Sequence, residues 1–454
     1  MTYNIEIQKD QKLPLLRLWF LLAITSLAIA GLFSLPPAIL RGPLFEKMFD
    51  TQHIFDIALV VHVNLSVLIW IITISCLLWN FYLPKTFLSI NKSLFFITAF
   101  GTLLLVVSAF IPNTLVVKSN YVPMLVNPVF IIGLSLIFSG IFLTLIFYIL
   151  ASLKEWKDLI IVGLKFSAYT GIIAIICFIL AGYKLTLAEK ADPDSFYELL
   201  YWGGGHILQF IYSNLLMIAW LWLSHKAEIK SNSGFLSKKY ILGLFILNFI
   251  FVLPTPLIYF YAENVGATIP LFTQHMQIFA GIVPSIFFLD RMIALIKHKS
   301  NNSQKAPKCY KIILFYSLIF FIYGCILGLF IKGMNTIVPA HYHAAVVGGL
   351  SLALMGVCYD LLGKLGFIFN ENNKINSIQA HIYSIGHILH ITGLAVMGGY
   401  GALRKTAAAT AGIHTTFGKI MFFSGGPLAL IGGILFIYIV YRSCLTRAKI
   451  DSFW

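Results

Sequence analysis

Twelve stretches of this chain are apolar for about 20 residues or nearly so, the length an α-helix needs to cross the core of a bilayer. They run approximately Leu15–Leu35, Ile57–Leu78, Leu94–Ile111, Val129–Leu150, Leu159–Ala181, Leu199–Leu223, Ile241–Tyr261, Leu271–Leu289, Ile312–Ile331, Ala340–Leu362, Ile378–Gly401 and Phe417–Tyr441. Hydrocarbon offers the backbone no partners, so such stretches must close their own hydrogen bonds as helices. The expected fold is therefore all-α and polytopic. The connections are short, which makes residues 1–454 a single membrane domain: a tail over 1–14, a twelve-helix bundle over 15–441 and a second tail over 442–454. Composition excludes a soluble fold, because 59% of the residues are hydrophobic and 11% charged, where soluble proteins carry about 25% charged residues.

A formal charge of +15 is, in a soluble chain, a pointer to nucleic acid. The basic residues instead lie in loops between spans, where they set topology, and no nucleic-acid partner is expected. With both termini placed in the cytoplasm, the inner segments hold twenty of the 32 Lys and Arg residues and the outer loops eight. Met1 to Leu13 is polar, carries Glu6 and Asp10, and reads as a cytoplasmic tail before a spanning helix, not as a cleaved signal. Cys76, Cys177, Cys309, Cys325, Cys358 and Cys444 are scattered, without the spacing of a disulfide framework, a zinc ribbon or a c-type haem attachment. No internal repeat of the kind found in transporters is evident.

Ionisable groups inside spans are costly and mark sites. Of the twelve histidines, His53, His225, His298 and His414 fall at helix ends or in a loop and read as interfacial. His62, His206, His275, His341 and His343 all fall in the outer half of the membrane, a shared depth that points to one buried site. His341-Tyr342-His343 is the most informative motif. Positions two apart on a helix point about 200° from each other. Such a pair is poorly placed to chelate one ion, but it can serve two flat cofactors on opposite sides of one helix. Haem is the natural candidate, because imidazole is its common axial ligand; otherwise each ring nitrogen needs a buried protein partner.

The stretch His341-Tyr342-His343, followed by Gly348-Gly349 and Met355-Gly356, resembles the tenth helix of the catalytic subunit of the haem-copper oxidase superfamily, cytochrome c oxidase subunit I and the nitric oxide reductase large subunit among them. His62-Val63-Asn64 with Trp70 is similar to the second helix of the nitric oxide reductase branch. Trp202-Gly203-Gly204-Gly205-His206 looks like the motif of helix six, and Arg404-Lys405 stands where the family sets a basic pair against haem propionates. The resemblance implies a twelve-helix subunit I-like bundle holding two haems of b-type. His62 and His343 would ligate a low-spin haem and His341 a high-spin one, with Arg404 and Lys405 on the propionates or, alternatively, serving as plain loop charges.

The resemblance breaks at the copper site. Where the family has a His-His pair on helix seven, this chain has Thr255-Pro256, so copper in its usual coordination lacks ligands. His275, with His206 and Gln274 or Tyr259, is the candidate set for a different metal and for the catalytic groups. Phe210 replaces the Tyr or Glu found one turn after the helix-six histidine, and the family's proton-channel residues are missing, so pumping is not expected. His381, His387 and His390 either line a polar route, bind a further metal or form an interhelical hydrogen-bonded pair. The expected activity is electron transfer from the low-spin to the high-spin haem and reduction of O2 or NO there. It implies an external donor, quinol or cytochrome, and room for an accessory membrane subunit. The alternatives are a copper-less haem protein for gas sensing, electron relay or haem handling, and a transition-metal transporter. The location is multi-pass, as in a bacterial inner membrane, with the site towards the outer side.

Overall fold

The computed structural model describes residues 12–40, 51–153, 156, 158–187, 192–229, 233–298, 306–405 and 416–446. All twelve apolar stretches are helices: Leu13–Ile39, Gln52–Phe81, Lys85–Phe110, Pro128–Ser152, Leu159–Thr186, Pro193–Lys226, Lys238–Tyr261, Val265–Lys297, Lys308–Leu329, Ile337–Lys364, Lys374–Gly399 and Thr416–Leu445. Most overrun the apolar stretch because a helix continues to its caps. Asn127 accepts from the Phe130 N–H at 2.9 Å to start the fourth span, and Asp192 accepts from the Ser195 N–H at 3.0 Å to start the sixth. The seventh span is broken into Lys238–Ile250 and Pro254–Tyr261, because Pro254 and Pro256 cannot continue an α-helical ladder.

Short connections make consecutive spans antiparallel, and an even number of spans leaves both ends of the bundle on one side. Between the third and fourth spans lies a hairpin that apolar patterning did not announce. Its strands, β1 (Leu115–Val117) and β2 (Met124–Val126), pair antiparallel with Val116 opposite Leu125. The hairpin closes one end of the bundle, the hairpin end.

The sixth and tenth spans are the most enclosed. At the opposite end they are clamped by Lys226, which pairs with Asp360 at 2.9 Å, and by Trp222, whose Nε1–H donates to Asp360 at 2.9 Å. The eleventh and twelfth spans touch through Gly386, Gly393, Gly425 and Gly432, where an added Cβ would run into the facing backbone; small residues permit such approach in a membrane.

Candidate functional site

The second and tenth spans are not α-helical throughout. The second is α over Thr51–Val63, π over Asn64–Ile69 and α again over Trp70–Phe81. The tenth is α over Ile337–Tyr342, π over His343–Ser351 and α over Leu352–Lys364. These are the two π stretches among the described residues, and such stretches are frequent at functional sites. The two spans run in the same direction and are pinned to each other where Trp70 Nε1–H donates to Ser351 Oγ at 3.2 Å. His62 stands eight residues before Trp70 and His343 eight residues before Ser351. The two histidines are therefore level, both towards the hairpin end.

His62 Nδ1 lies 2.9 Å from the Ala30 carbonyl, and His341 Nδ1 lies 2.7 Å from the Gly324 carbonyl. A carbonyl only accepts, so each Nδ1 carries the hydrogen, and a neutral ring then keeps its lone pair on Nε2. That is how metal-ligating histidines are commonly fixed, with the non-ligating N–H held by a backbone carbonyl. The fit to haem iron is good at both residues. Gly328 makes room for the His341 ring, since a Cβ there would come 3.0 Å from Nδ1. The two histidines of the tenth span diverge. His341 packs on Gly324 and Gly328 of the ninth span, while the His343 ring lies 5.2 Å from that of His390 on the eleventh.

His206 is arranged differently. Its Nδ1–H donates to the Trp202 carbonyl at 2.8 Å, and Nε2 lies 2.8 Å from the Tyr121 hydroxyl. With Nδ1 protonated, the neutral ring offers Nε2 as acceptor, so Tyr121 donates. Burial first, and then the Glu198 carboxylate, hold the Tyr121 phenol well above its ordinary pKa, which keeps the hydroxyl protonated. The glycines before His206 are spaces for rings: a Cβ on Gly203 would strike Tyr259, one on Gly204 Phe178, and one on Gly205 Tyr121. Both nitrogens of His206 are thus engaged by protein.

The expected metal set does not assemble. Gln274 and His275 are exposed, and His275 Nδ1–H donates to the Leu271 carbonyl at 2.8 Å on its own helix. It is Gln277, two residues on, that turns inward and bonds Gln209 of the sixth span; two helical positions are about 200° apart. Tyr259 is buried against Gly203. Among the described residues no group of three His, Cys, Asp or Glu side chains can hold a metal ion. The residues present therefore do not fit copper.

Over the hairpin end lies a polar cap. Arg404 donates to Asn120 Oδ1 at 2.7 Å and Lys405 to the same oxygen at 3.2 Å, while the Asn120 N–H donates to Glu198 at 2.9 Å. Lys118 pairs with Asp56 at 3.1 Å. Burial, and then the neighbouring Arg404, push the Lys405 pKa down to about 8, and burial lowers that of Arg404. Arg404 Nε is buried without a hydrogen-bond partner among the described residues. Two crowded cations with an unused donor fit an anionic group such as a propionate.

Of the other histidines, His381 is exposed and 3.1 Å from the Tyr316 hydroxyl, His387 is bonded to the Tyr383 carbonyl at 3.0 Å, and the His390 ring stacks on Phe422. His53 and His225 are exposed and His298 half-buried; His414 lies outside the described residues. Sequence reasoning missed Asn120 and Tyr121, because no spacing ties a loop between the third and fourth spans to a histidine on the sixth, and missed Glu198 because its partner Asn120 lies in that loop.

Residues 15–427 match the family described as cytochrome c and quinol oxidase polypeptide I. The chain is 30% identical to an uncharacterized protein of Rickettsia prowazekii (strain Madrid E), over 95% of this chain and 96% of that protein. It is 28% identical to an uncharacterized protein of Aquifex aeolicus (strain VF5), over 77% of this chain and 85% of that one. The fold is similar to that of a heme-copper terminal oxidase solved as a dimer, with a TM-score of 0.71 at 16% identity, covering 98% of this chain and 85% of that one.

Proposed function

The chain belongs to the cytochrome c and quinol oxidase polypeptide I family, a family of respiratory-type membrane oxidoreductases, and from that premise we propose that it is a dihaem enzyme that reduces O2 or NO. His62 and His343 would together hold one haem and His341 a second. The observation that carries this reading is the level placement of His62 and His343 on two spans pinned at Trp70 and Ser351. When bound, the haems supply a path for electrons and, at the iron with a single protein ligand, an open face for a diatomic gas.

The chain's own part is orientation and charge. The Ala30 and Gly324 carbonyls hold Nδ1 of His62 and His341 and so leave Nε2 as the nitrogen that would meet the iron. Arg404 and Lys405 hold haem carboxylates at the hairpin end, which the basic bias of the loops assigns to the outer side of the membrane. The haems are b-type in this reading, and electrons come from quinol or a cytochrome, with an accessory subunit as the docking partner. Pumping is not part of the proposal. The acidic side chains of the described spans are Asp56, Asp194 and Glu198 towards the hairpin end and Asp290 and Asp360 towards the other.

The test is the optical spectrum of the purified protein, with haem and copper counted by pyridine haemochrome and metal analysis. Six-coordinate and five-coordinate haem together are expected, and a protein without six-coordinate haem sinks the proposal. The engaged nitrogens of His206 favour a second reading, a copper-less haem protein for gas sensing, electron relay or haem handling. Anaerobic reduction followed by O2 or NO separates the two, because only the enzyme reoxidises through many cycles.

A further inference from the structure

We propose that Tyr212, Tyr383 and Ser317 are positioning residues for the two-histidine haem site, acting by holding the π stretches of the second and tenth spans; this rests on the dihaem reading above. The Tyr212 hydroxyl, on the sixth span, donates to the Val67 carbonyl at 2.8 Å. Tyr383, on the eleventh, donates to the Val347 carbonyl at 3.2 Å. Ser317, on the ninth, donates to the Gly349 carbonyl at 2.7 Å and accepts from Trp220 Nε1–H of the sixth at 2.8 Å. Val67 lies within Asn64–Ile69, and Val347 and Gly349 lie within His343–Ser351. One backbone carbonyl of the first π stretch and two of the second are therefore bonded by hydroxyls that other spans project into them.

The consequence for the histidines is angular. A π turn closes over one residue more than an α turn, and an α-helix rotates by about 100° per residue. The ends of both spans away from the hairpin are fixed, by the Trp70–Ser351 bond and, for the tenth, by Asp360 with Trp222 and Lys226. If a π stretch relaxed to α geometry, the part of the span beyond it would swing by about that angle, carrying His62 or His343 off a shared axis. At the hairpin end the second span is steadied by Asn64, whose side-chain amide donates to the Pro123 carbonyl at 2.8 Å. The hydroxyls supply the matching restraint in the middle of the spans. Their hydroxyls bond backbone carbonyls, so their effect reaches the histidines through the backbone, as aim.

Tyr212→Phe and Tyr383→Phe each remove one oxygen from the full-length, haem-loaded protein. The readouts are the low-temperature EPR position of the low-spin haem and the fraction of that haem retained through gel filtration. Both variants are expected to shift or split the low-spin signal and to weaken retention of that haem about tenfold, the lower end of what outer-shell changes cost metal sites. The carbon monoxide difference spectrum of the other haem stays as in the parent. Tyr148→Phe is the control, since Tyr148 makes the same kind of bond, at 3.1 Å, to Ile161 in an α-helix; it should leave the signal in place. Should either tyrosine variant fail to fold, Ser317→Ala acts on the tenth-span stretch with a smaller change. An unshifted low-spin signal in the variants, or an equal shift in Tyr148→Phe, overturns this inference. A parent protein with no low-spin signal overturns the dihaem reading itself.

Discussion

His62 and His341 on one side, and His206 on the other, are the same side chain in the same half of the bundle, and each gives its Nδ1–H to a backbone carbonyl. They differ at the second nitrogen. At His206 a tyrosine from the hairpin donates to Nε2, while among the described residues none donates to Nε2 of His62 or His341. A metal needs the lone pair of that nitrogen. Residue type and depth are therefore shared between the two regions, and the partner of the second nitrogen is where they differ. The surroundings repeat the contrast. Around His206 three glycines admit three aromatic rings that fill the space, whereas His62 and His343 sit on widened helices whose carbonyls are bonded from outside the span.

The sharpest way to break this comparison is to remove the histidines one at a time. His343→Ala is expected to abolish the six-coordinate haem spectrum and leave a five-coordinate haem in place. His341→Ala should remove the carbon monoxide-binding haem and spare the other. His206→Ala should retain both haems. The measurement is a pyridine haemochrome count beside reduced and carbon monoxide difference spectra. If His206→Ala empties the protein of haem as fully as His343→Ala, the distinction between the two regions is gone.

What could be read from the chain beforehand follows the reach of each interaction. Spans are legible because crossing hydrocarbon demands about 20 apolar residues, and all twelve were found. The divergence of His341 and His343 is legible because it follows from helical rotation alone. Depth could be estimated for His275 but its direction could not, and Gln277 takes the inward position instead. Tyr121 and His206 are separated by 85 residues, and Asn120 and Arg404 by 284; nothing local connects either pair. The π stretches leave no mark in hydrophobic periodicity, because they alter the hydrogen-bond register and not the order of apolar residues.

A smaller effect tests whether the closed region is closed by Tyr121. Gly205→Ala places a methyl where the Tyr121 ring lies, and overpacking of that kind costs about 1–3 kcal/mol. Tyr121→Phe keeps the ring and removes the donor, leaving a buried acceptor on His206, which costs about 1 kcal/mol or somewhat more. Thermal unfolding in detergent should rank Gly205→Ala at or below Tyr121→Phe, with both below the parent. Haem content should hold in both. A Tyr121→Phe protein as stable as the parent would show that the hydroxyl is not what satisfies His206.

The smallest effect concerns the polar cap, which lies over both regions. Lys405 has a folded pKa of about 8, below the value of about 10.4 expected in the unfolded chain. Between those values the unfolded chain holds more protons than the folded one, so stability rises with pH from about 8 to about 10.4 and is insensitive to this group at lower pH. A haem carboxylate beside Lys405 would favour its charged form and raise the folded pKa, which shrinks or removes the rise. Unfolding midpoints across that window should therefore climb in haem-free protein, climb less in haem-loaded protein, and lose the Lys405 contribution in Lys405→Met. Equal climbs with and without haem would detach the basic pair from the haem site and leave Arg404 and Lys405 with a structural role only, holding the loop of Lys118, Ser119 and Asn120.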